Sequence, residues 1–385
     1  MNFVALKMLA GDRAKYIGIV MGLTFASLLI NQQAAIYSGL MTRTYSQIAD
    51  TSSADIWVTD PEVEFVEDMK RMLDRELYRV RGVEGVQWAV PGFKGYFNTR
   101  LPGGKKVVAS VIGIDDVSLI GGPPQMVEGK LEDLRQRDAV IVDIVEARGK
   151  LAKRSPTGDG EPQPLKVGDV LEINDRRAVV AGFCRISPSF YWQPVIFTLH
   201  SRAATYVSSE RRPLSYVLVK VKEGYDPQDV CRRINRETGL MAQTSQQYSQ
   251  STLDYVNRST GIAVNFGMAI ALGFVVGAAI AGQTFYNFTL DNLRYFAALN
   301  AMGTSHATML RMILIQALAA GLLGYGLGVG AAAIFGKLAG ASLAFQMSYS
   351  LLAGSAVAIV LICMLAAALS MRKVLRLEPA IVFKG

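Results

Sequence analysis

The sequence lacks a nucleotide-binding loop. No G-x-x-x-x-G-K-[ST] stretch occurs in its 385 residues. That glycine-rich loop is what holds the nucleotide phosphates in P-loop ATPases. We therefore expect no ATP hydrolysis by this chain through that route.

Charged residues are missing from four long stretches, at about 16–40, 261–286, 312–336 and 350–370. About 20 mostly apolar residues cross the roughly 30 Å hydrocarbon core of a bilayer as a helix. In lipid each backbone N–H and C=O must be paired within its own segment, which favours helices. The four stretches predict four transmembrane helices. Their lack of charge argues against an ion-coupled transporter, because such proteins bury ionisable groups near the bilayer midplane.

The net charge of +8 lies outside the long segment between the first two spans. Residues 42–257 contain 29 basic and 29 acidic residues, and the other residues contain 11 and 3. The excess of basic residues therefore indicates membrane topology and gives no support for a nucleic-acid partner. Basic residues concentrate in cytoplasmic loops. Here they precede the first span, separate the second from the third, and follow the fourth: Lys7, Arg13, Lys15, Arg294, Arg311, Arg372, Lys373, Arg376 and Lys384.

This distribution predicts cytoplasmic termini and a domain on the outer side. The expected parts are 1–41 (N-terminus and first span), 42–257 (outer α+β domain) and 258–385 (three spans with a cytoplasmic loop and C-terminus). The fold class is an α-helical membrane protein with one α+β domain inserted between helices 1 and 2. The apolar start has no clear A-x-A cleavage site, so we read it as an uncleaved signal anchor.

Histidine and cysteine are scarce. His200 and His306 fall on opposite sides of the predicted membrane, so no histidine metal cluster is expected. Nothing around His200 resembles a nucleophile elbow, and we interpret it as structural. Cys184 and Cys231 are expected to be free, buried thiols, although a disulfide stays open. We predict no catalytic site, metal site or bound cofactor.

The outer domain shows sequence patterns typical of helices and of strands. Apolar residues three and four apart predict a helix over 62–80. Asp226, Pro227 and Gly239 mark the cap, first position and end of a second helix. Asn174 and Asp175 predict a hairpin turn, since both residue types tolerate left-handed backbone angles. Strands are predicted at 54–58, 105–115, 138–143, 167–174, 177–186 and 214–224, and a polar surface loop at 153–164.

The spans contain glycine pairs four residues apart, a spacing that lets helix backbones approach closely. They indicate either packing within one chain or a homodimer contact. In the first span, Asn31, Gln32 and Gln33 predict the point where the helix leaves the membrane and continues as a stalk. The glycines are Gly273, Gly277, Gly324, Gly326, Gly328 and Gly330.

Residues 287–311 predict a short amphipathic helix between the second and third spans. Gly303 is suited to end it in a left-handed turn, and Thr304 or Ser305 to cap the next helix. Such a helix suits a groove on a partner, or it rests on the lipid surface. Its predicted apolar face comprises Leu290, Leu293, Phe296, Ala297 and Ala301.

Four features resemble one known family. These are the order span–outer domain–three spans, the loop TLDNLRYFAALNAMGTSHATMLRMILIQ (289–316), the ending RKVLRLEPAIVF (372–383), and the domain stretches VGDVLEINDRRAVVAGF and SYVLVKVKEGYDPQDVCRRI. Together they resemble the MacB/FtsX-type, or type VII, permeases of ABC transporters, and most closely the DevC-like branch. Tyr295 departs from the acidic residue common in that loop, and Asn300 from the basic one.

The resemblance implies a permease dimer that passes ATP-driven motion to its periplasmic domains by mechanotransmission, in a bacterial inner membrane. ATP and Mg would be bound by a separate cytoplasmic ABC ATPase. A homodimer is expected, with the first and second spans at the seam. The residues implied in ATPase coupling are Leu290, Asp291, Leu293, Arg294, Tyr295, Phe296, Asn300, Met302 and Gly303.

Three functions fit this resemblance. The first is substrate export (efflux) with a HlyD-like periplasmic adaptor and an outer-membrane channel. The second is extraction of lipoproteins or lipids from the membrane. The third is FtsX-like regulation of a cell-wall hydrolase without transport. Lipid is a partner in each, and nucleic acid in none; the cargo itself has no signature in the sequence.

Overall fold

The helices and strands are defined in a computed structural model that describes residues 2–68, 70–153, 162–207, 214–339 and 343–375. The helices are α1 (Asn2–Gly11), α2 (Arg13–Thr44), α3 (Ser46–Asp50), α4 (Asp74–Arg81), α5 (Ile144–Arg148), α6 (His200–Thr205), α7 (Pro227–Thr238), α8 (Ser245–Ser259), α9 (Ile262–Asp291), α10 (Leu293–Ala301), α11 (His306–Ala339) and α12 (Tyr349–Leu375). The strands are β1 (Ile56–Thr59), β2 (Val86–Arg100), β3 (Lys106–Ile114), β4 (Gln125–Glu128), β5 (Ala139–Asp143), β6 (Val170–Ile173), β7 (Arg176–Arg185), β8 (Val195–Leu199), β9 (Tyr216–Val221) and β10 (Met241–Thr244).

The chain divides into two units. Met1–Leu40 and Thr260–Gly385 form the membrane unit, and Met41–Ser259 forms the inserted domain. In the membrane unit, α2, α9, α11 and α12 are each long and apolar enough to span a bilayer. The prediction of four membrane helices is therefore confirmed. Ile19, Phe285 and Ile313 lie in their shared core, while residues such as Leu272 and Leu322 point outward.

The stalk prediction at Asn31 needs correction. Asn31 is fully buried within the membrane unit. Its Nδ2 donates to the Ser27 carbonyl at 2.8 Å, and its Oδ1 accepts from the Ser355 hydroxyl at 2.8 Å. The amide thus joins α2 to α12, because a buried polar group in lipid needs a protein partner. Helix α2 does continue without a break to Thr44.

The second span does not extend as one continuous helix. Helix α8 ends at Ser259 and α9 begins at Ile262. Between them Gly261 has φ +67°, in the left-handed region that interrupts a helix and favours glycine. An unbroken helix therefore continues to Thr44 in α2, whereas α9 begins only at Ile262.

The inserted domain has two lobes that share strand β2. Residues 86–92 of β2 pair antiparallel with β9, which continues to β1 and β10. This first lobe packs α4 and α7 against its sheet through Leu77, Val80 and Ile234. Residues 93–100 of β2 pair with β3. That second lobe continues from β3 through β8, β5 and β7 to β4, and β6 lies between β2 and β7.

The predicted helix over 62–80 is wrong for most of its length. Among the described residues there, only α4 is helical; residues 60–68 and 70–73 follow turns and irregular backbone, with Met72 bridging to Leu214. The apolar residues are buried as expected, but in different places. Val63 and Val66 pack near Trp57, whereas Leu77 and Val80 pack in the first lobe's sheet–helix core. The spacing of apolar residues alone does not show whether they pack in one core or in two.

Local turn chemistry was predicted more accurately. Asn174 and Asp175 both have positive φ, at 46° and 62°, and join β6 to β7 as a hairpin. Helix α7 begins with Pro227 after Asp226 and ends before Gly239, whose φ is +72°. The six predicted strands are present, although β2, β4, β8 and β10 were missed. Most of the predicted loop at 153–164, and Arg376 and Lys384, lie outside the described residues.

The three cysteines are free and buried, as expected for Cys184 and Cys231. Burial raises the pKa of Cys231 to about 12 and that of Cys184 still further. Only a thiolate reacts readily with maleimides. We predict negligible labelling of the native protein by N-ethylmaleimide at pH 7, and three labels per chain after denaturation, as counted by intact-mass spectrometry. A mass that falls short of three labels without reductant would show that a disulfide exists.

Candidate functional site

Helix α10, which connects α9 to α11, ends in a defined turn. The Thr304 N–H donates to the Leu299 carbonyl at 3.1 Å, and the Gly303 N–H to the Asn300 carbonyl at 2.9 Å. Gly303 has φ +90°. This pair of bonds is the Schellman arrangement, in which glycine ends a helix in a left-handed conformation. Ser305 then caps α11, with its hydroxyl accepting from the Thr308 N–H at 3.4 Å.

Part of the predicted apolar face turns toward the protein, although Ala301 at the end of α10 is exposed. Phe296 is 1% exposed and Ala297 is 3% exposed, and both lie against the membrane unit, where Phe296 joins the same core as Met309. Phe296 thus packs α10 onto its own chain, and its part in ATPase coupling stays a prediction. Leu290, Leu293 and Asn300 are half-buried.

The other side of α10 is available to a partner. Tyr295 is 63% exposed and Met302 is 73% exposed. Arg294, Asp291 and Gly303 are exposed as well. The arginine and tyrosine on α10 and the methionine that follows its last residue match the residue types enriched at protein interfaces.

Helix α1 completes this surface and was not foreseen. It packs on α11, where Gln316 Nε2 donates to the Ala5 carbonyl at 2.8 Å. An open groove of about 770 Å³ runs between α1 and the start of α10. Its lining comprises Val4, Lys7, Met8, Gly11, Asp12, Arg13, Asn292 and Tyr295. We call this groove and the exposed residues of α10 the α1–α10 surface.

Ionic contacts hold the edge of this surface. Lys15 bridges Asp12 at 2.8 Å and also contacts Asp291, the last residue of α9. Hydrogen bonds from Lys15 lower the pKa of Asp12. The Lys15 contacts therefore tie α1 and α2 to the end of α9. The sequence showed these basic residues only as a topology signal, because Lys15 and Asp291 are far apart along the chain.

The predicted glycines divide into two sets. Gly273 and Gly277 lie against α2 at Ile30 and Ala26, and Gly324 and Gly328 lie against α2 at Leu23 and Ser27. These four pack helices within one chain. Gly326 and Gly330 have nothing within 4 Å of the position of a Cβ atom and face outward. Only this second set is free to contact another molecule.

No group of three or more His, Cys, Asp or Glu residues that could hold a metal occurs among the described residues. His200 lies at the start of α6, beside the sheet.

Comparison with known proteins assigns the C-terminal part. Residues 267–379 match the family described as FtsX-like permease C-terminal. This range contains the last 25 residues of α9 and all of α10, α11 and α12. The α10 part of the α1–α10 surface thus lies inside the matched region, whereas α1 lies outside it.

Two solved structures are similar to the inserted part at low identity. The periplasmic region of MacB from Actinobacillus actinomycetemcomitans is 13% identical, with a TM-score of 0.38, over 53% of this chain and 94% of that one. The extracellular domain of the ABC-type transporter YknZ from Gram-positive bacteria is 15% identical, with a TM-score of 0.33, over 50% and 98%. No curated protein has significant sequence similarity. These structural likenesses are too distant to transfer a function.

Proposed function

We propose that this chain is the membrane subunit of an ABC transporter and that a separate cytoplasmic ATPase drives it. The observation that carries the proposal is the match of residues 267–379 to the FtsX-like permease C-terminal family. The chain has no nucleotide-binding loop of its own, so it needs an outside source of energy. Both termini and α10 are cytoplasmic, and the inserted domain is periplasmic, in keeping with the positive-inside rule.

The ATPase binds the α1–α10 surface. Tyr295 and Arg294 supply contacts of the kind that dominate interface energies, and Lys7 and Arg13 make the groove basic. Phe296 and Ala297 hold α10 onto the membrane unit. A push on α10 therefore reaches the spanning helices directly.

Helix α2 carries the motion outward. It is one uninterrupted helix from Arg13 to Thr44. Its last turn is anchored in the inserted domain, where the Arg43 guanidinium stacks over the Trp192 ring at 4.0 Å. The spanning helices carry no charge-lined path, so the work is done by the inserted domain on cargo outside the membrane. Export through an adaptor and outer-membrane channel, by a permease dimer, is the form we favour.

The test is co-purification of the full-length chain with its ABC ATPase from the native membrane. Changing Arg294→Glu and Tyr295→Asp together is expected to reduce the bound ATPase about thirtyfold, because interface hot spots contribute 2 kcal/mol or more. Tyr78→Asp is the matched control, since Tyr78 is 67% exposed on α4 of the inserted domain. Retention of the ATPase by the double variant, or its equal loss in the control, would refute the coupling role.

A further inference from the structure

An uncharged aromatic loop joins strand β7 to strand β8 in the inserted domain. Residues 187–194 read SPSFYWQP, with three aromatic side chains in a row. Tyr191 is 45% exposed, and Phe190 and Trp192 are half-buried. We call residues 187–194 the aromatic loop. Exposed apolar and aromatic side chains grouped in this way mark a surface that meets another molecule or a membrane.

The aromatic loop is held in a fixed conformation beside Arg43. Trp192 has φ +57°, in the left-handed region that bulky residues rarely adopt. Its ring lies under the Arg43 guanidinium at 4.0 Å, and its carbonyl accepts a hydrogen bond from the Lys150 ammonium. At the start of the loop, the N–H and the hydroxyl of Ser187 both donate to the Asp50 carboxylate at 2.8 Å. The loop therefore stays next to Arg43.

The inner side of the aromatic loop is supported by the inserted domain. The Tyr191 ring meets the Tyr96 ring edge to face at 6.4 Å. The Tyr96 hydroxyl donates to the Glu67 carboxylate, which pairs with the buried Lys94 ammonium at 2.5 Å. The outer side of the loop is thus the part that a further molecule can reach.

The position of Arg43 along α2 gives its depth relative to a membrane. Helix α2 is unbroken from Lys15 to Arg43, a rise of about 42 Å at 1.5 Å per residue. An average tilt of about 20° shortens this rise to about 39 Å. A bilayer with its headgroup layers is about 40–45 Å thick. If charged Lys15 marks one face, Arg43 lies in the headgroup layer of the opposite face.

The segment between α11 and α12 gives the same depth independently. The Gln346 N–H donates to the Ala35 carbonyl at 3.0 Å, and the Ala344 backbone lies against Gly39. Irregular backbone does not occur exposed within the hydrocarbon, so Ala35 and Gly39 mark its edge. Arg43 is about 6 Å further along α2. That distance matches the thickness of one headgroup layer, about 5–7 Å.

We propose that the aromatic loop binds the lipid headgroup layer on this face of the membrane, with Phe190 and Tyr191 in contact with lipid. Aromatic side chains are enriched at this depth, because their rings are apolar and the polar atoms of Tyr and Trp reach water. Arg43 and the exposed Lys150 place two positive charges beside the rings, where lipid phosphates lie. The loop contains no acidic residue that phosphates would repel.

The depth of Arg43 favours lipid over a protein as the occupant, since it leaves the aromatic loop within the thickness of the bilayer. A second aromatic pair agrees with this depth. Tyr255 stacks on Phe65 at 4.5 Å, and its helix α8 ends at Ser259, just before the charge-free stretch 261–286. Lipid contact holds the second lobe against the membrane. This inference does not depend on ATPase coupling.

The first test uses the full-length protein in phosphatidylcholine nanodiscs, with or without bromine on the acyl chains near the headgroup. Bromine quenches tryptophan fluorescence only at close range. Brominated lipid is expected to quench one of the three tryptophans, and Trp192→Phe should abolish that quenching. Trp88→Phe, the matched control in the first lobe, should retain it. Trp57 is 1% exposed and should not contribute.

The second test leaves all three tryptophans in place. Because the native cysteines are buried, Tyr191→Cys provides one reactive site for a nitroxide label. Collisions with oxygen, relative to those with a water-soluble nickel chelate, should be more frequent there than at Val117→Cys. Val117 is 81% exposed and follows the end of β3, whereas the aromatic loop precedes the start of β8, which runs parallel to β3.

Each result has a definite meaning once unchanged melting temperatures show that the variants are folded. A loop that meets a protein instead of lipid would leave Trp192 unquenched and the label at position 191 in water. Absence of quenching in the wild type, its persistence in Trp192→Phe, or equal collision ratios at positions 191 and 117 would overturn the proposal.

Discussion

Replacing Gly328 by leucine is expected to disrupt the packing of the membrane unit, whereas the same change at Gly330 leaves it intact. Both glycines lie on α11, two residues apart. A Cβ atom at Gly328 would meet the Ser27 side chain at 2.5 Å and the Thr24 carbonyl at 2.7 Å. A Cβ atom at Gly330 would have nothing within 4 Å.

The size of the destabilisation by Gly328→Leu depends on which atoms the new side chain meets. The Thr24 carbonyl belongs to the backbone of α2, so it cannot rotate away as a side chain can. Overpacking a tight site costs about 1–3 kcal/mol even where neighbours adjust. Moving α2 also strains the hydrogen bond from the Ser27 hydroxyl to the Tyr325 carbonyl, at 3.2 Å. We expect Gly328→Leu to lower the yield of folded protein and its melting temperature sharply in detergent.

Gly330→Leu serves as the matched control and decides a second question. If Gly326 and Gly330 form a contact between two chains, leucine at 330 will dissociate the dimer while the melting temperature of the monomer is kept. If they face lipid, both the oligomeric state and the melting temperature will stay unchanged. Size-exclusion chromatography with light scattering distinguishes these results. Equal destabilisation by the two leucines would contradict the assignment of Gly328 to packing within the chain.

The sequence alone was sufficient to predict those features that are determined by one local physical constraint. The spans followed from length and absence of charge, because a bilayer imposes both. The hairpin at Asn174–Asp175 and the ends of α7 followed from backbone angles that few residue types accept. The Gly303 turn after α10 has the same origin.

Features that depend on tertiary contacts were not accessible in this way. The spacing of Phe296 indicated an apolar face but not whether that face covers the protein's own core or a partner. The helical period over 62–80 was produced by residues that enter two separate cores. The pairing of Lys94 with Glu67 had no signal either, because many charged residues share the inserted domain and most of them are solvated. In each case, burial depended on residues distant in sequence.

Changing Lys94 to methionine alone is expected to destabilise the inserted domain more than any surface substitution there. Lys94 is 3% exposed, and the Glu67 side chain is 5% exposed. Removing the ammonium leaves a buried carboxylate without its counter-charge, which typically costs about 3–5 kcal/mol. Lys94→Met combined with Glu67→Met should cost much less, because a buried pair is often replaced by apolar residues without loss.

The protein offers a selective probe for this experiment. Its three tryptophans, Trp57, Trp88 and Trp192, all lie in the inserted domain. Tryptophan fluorescence during urea unfolding therefore reports on that domain alone, in the full-length chain. A double-mutant cycle over the two positions gives the coupling energy directly. Additive single effects, with no recovery in the double variant, would show that the pair is not buried as a unit.

The pH dependence gives an independent check with a definite sign. Burial lowers the pKa of the Lys94 ammonium from its ordinary value, and the Glu67 carboxylate opposes that shift. In Glu67→Met the opposing charge is gone, so the folded state holds the Lys94 proton less tightly than the unfolded state does. Stability then rises with pH wherever the unfolded chain binds more protons. The loss of unfolding free energy in Glu67→Met, relative to the wild type, should therefore shrink as the pH rises toward 10.5, the ordinary pKa of lysine. The loss in Lys94→Met should not shrink, because no ammonium remains there to lose a proton.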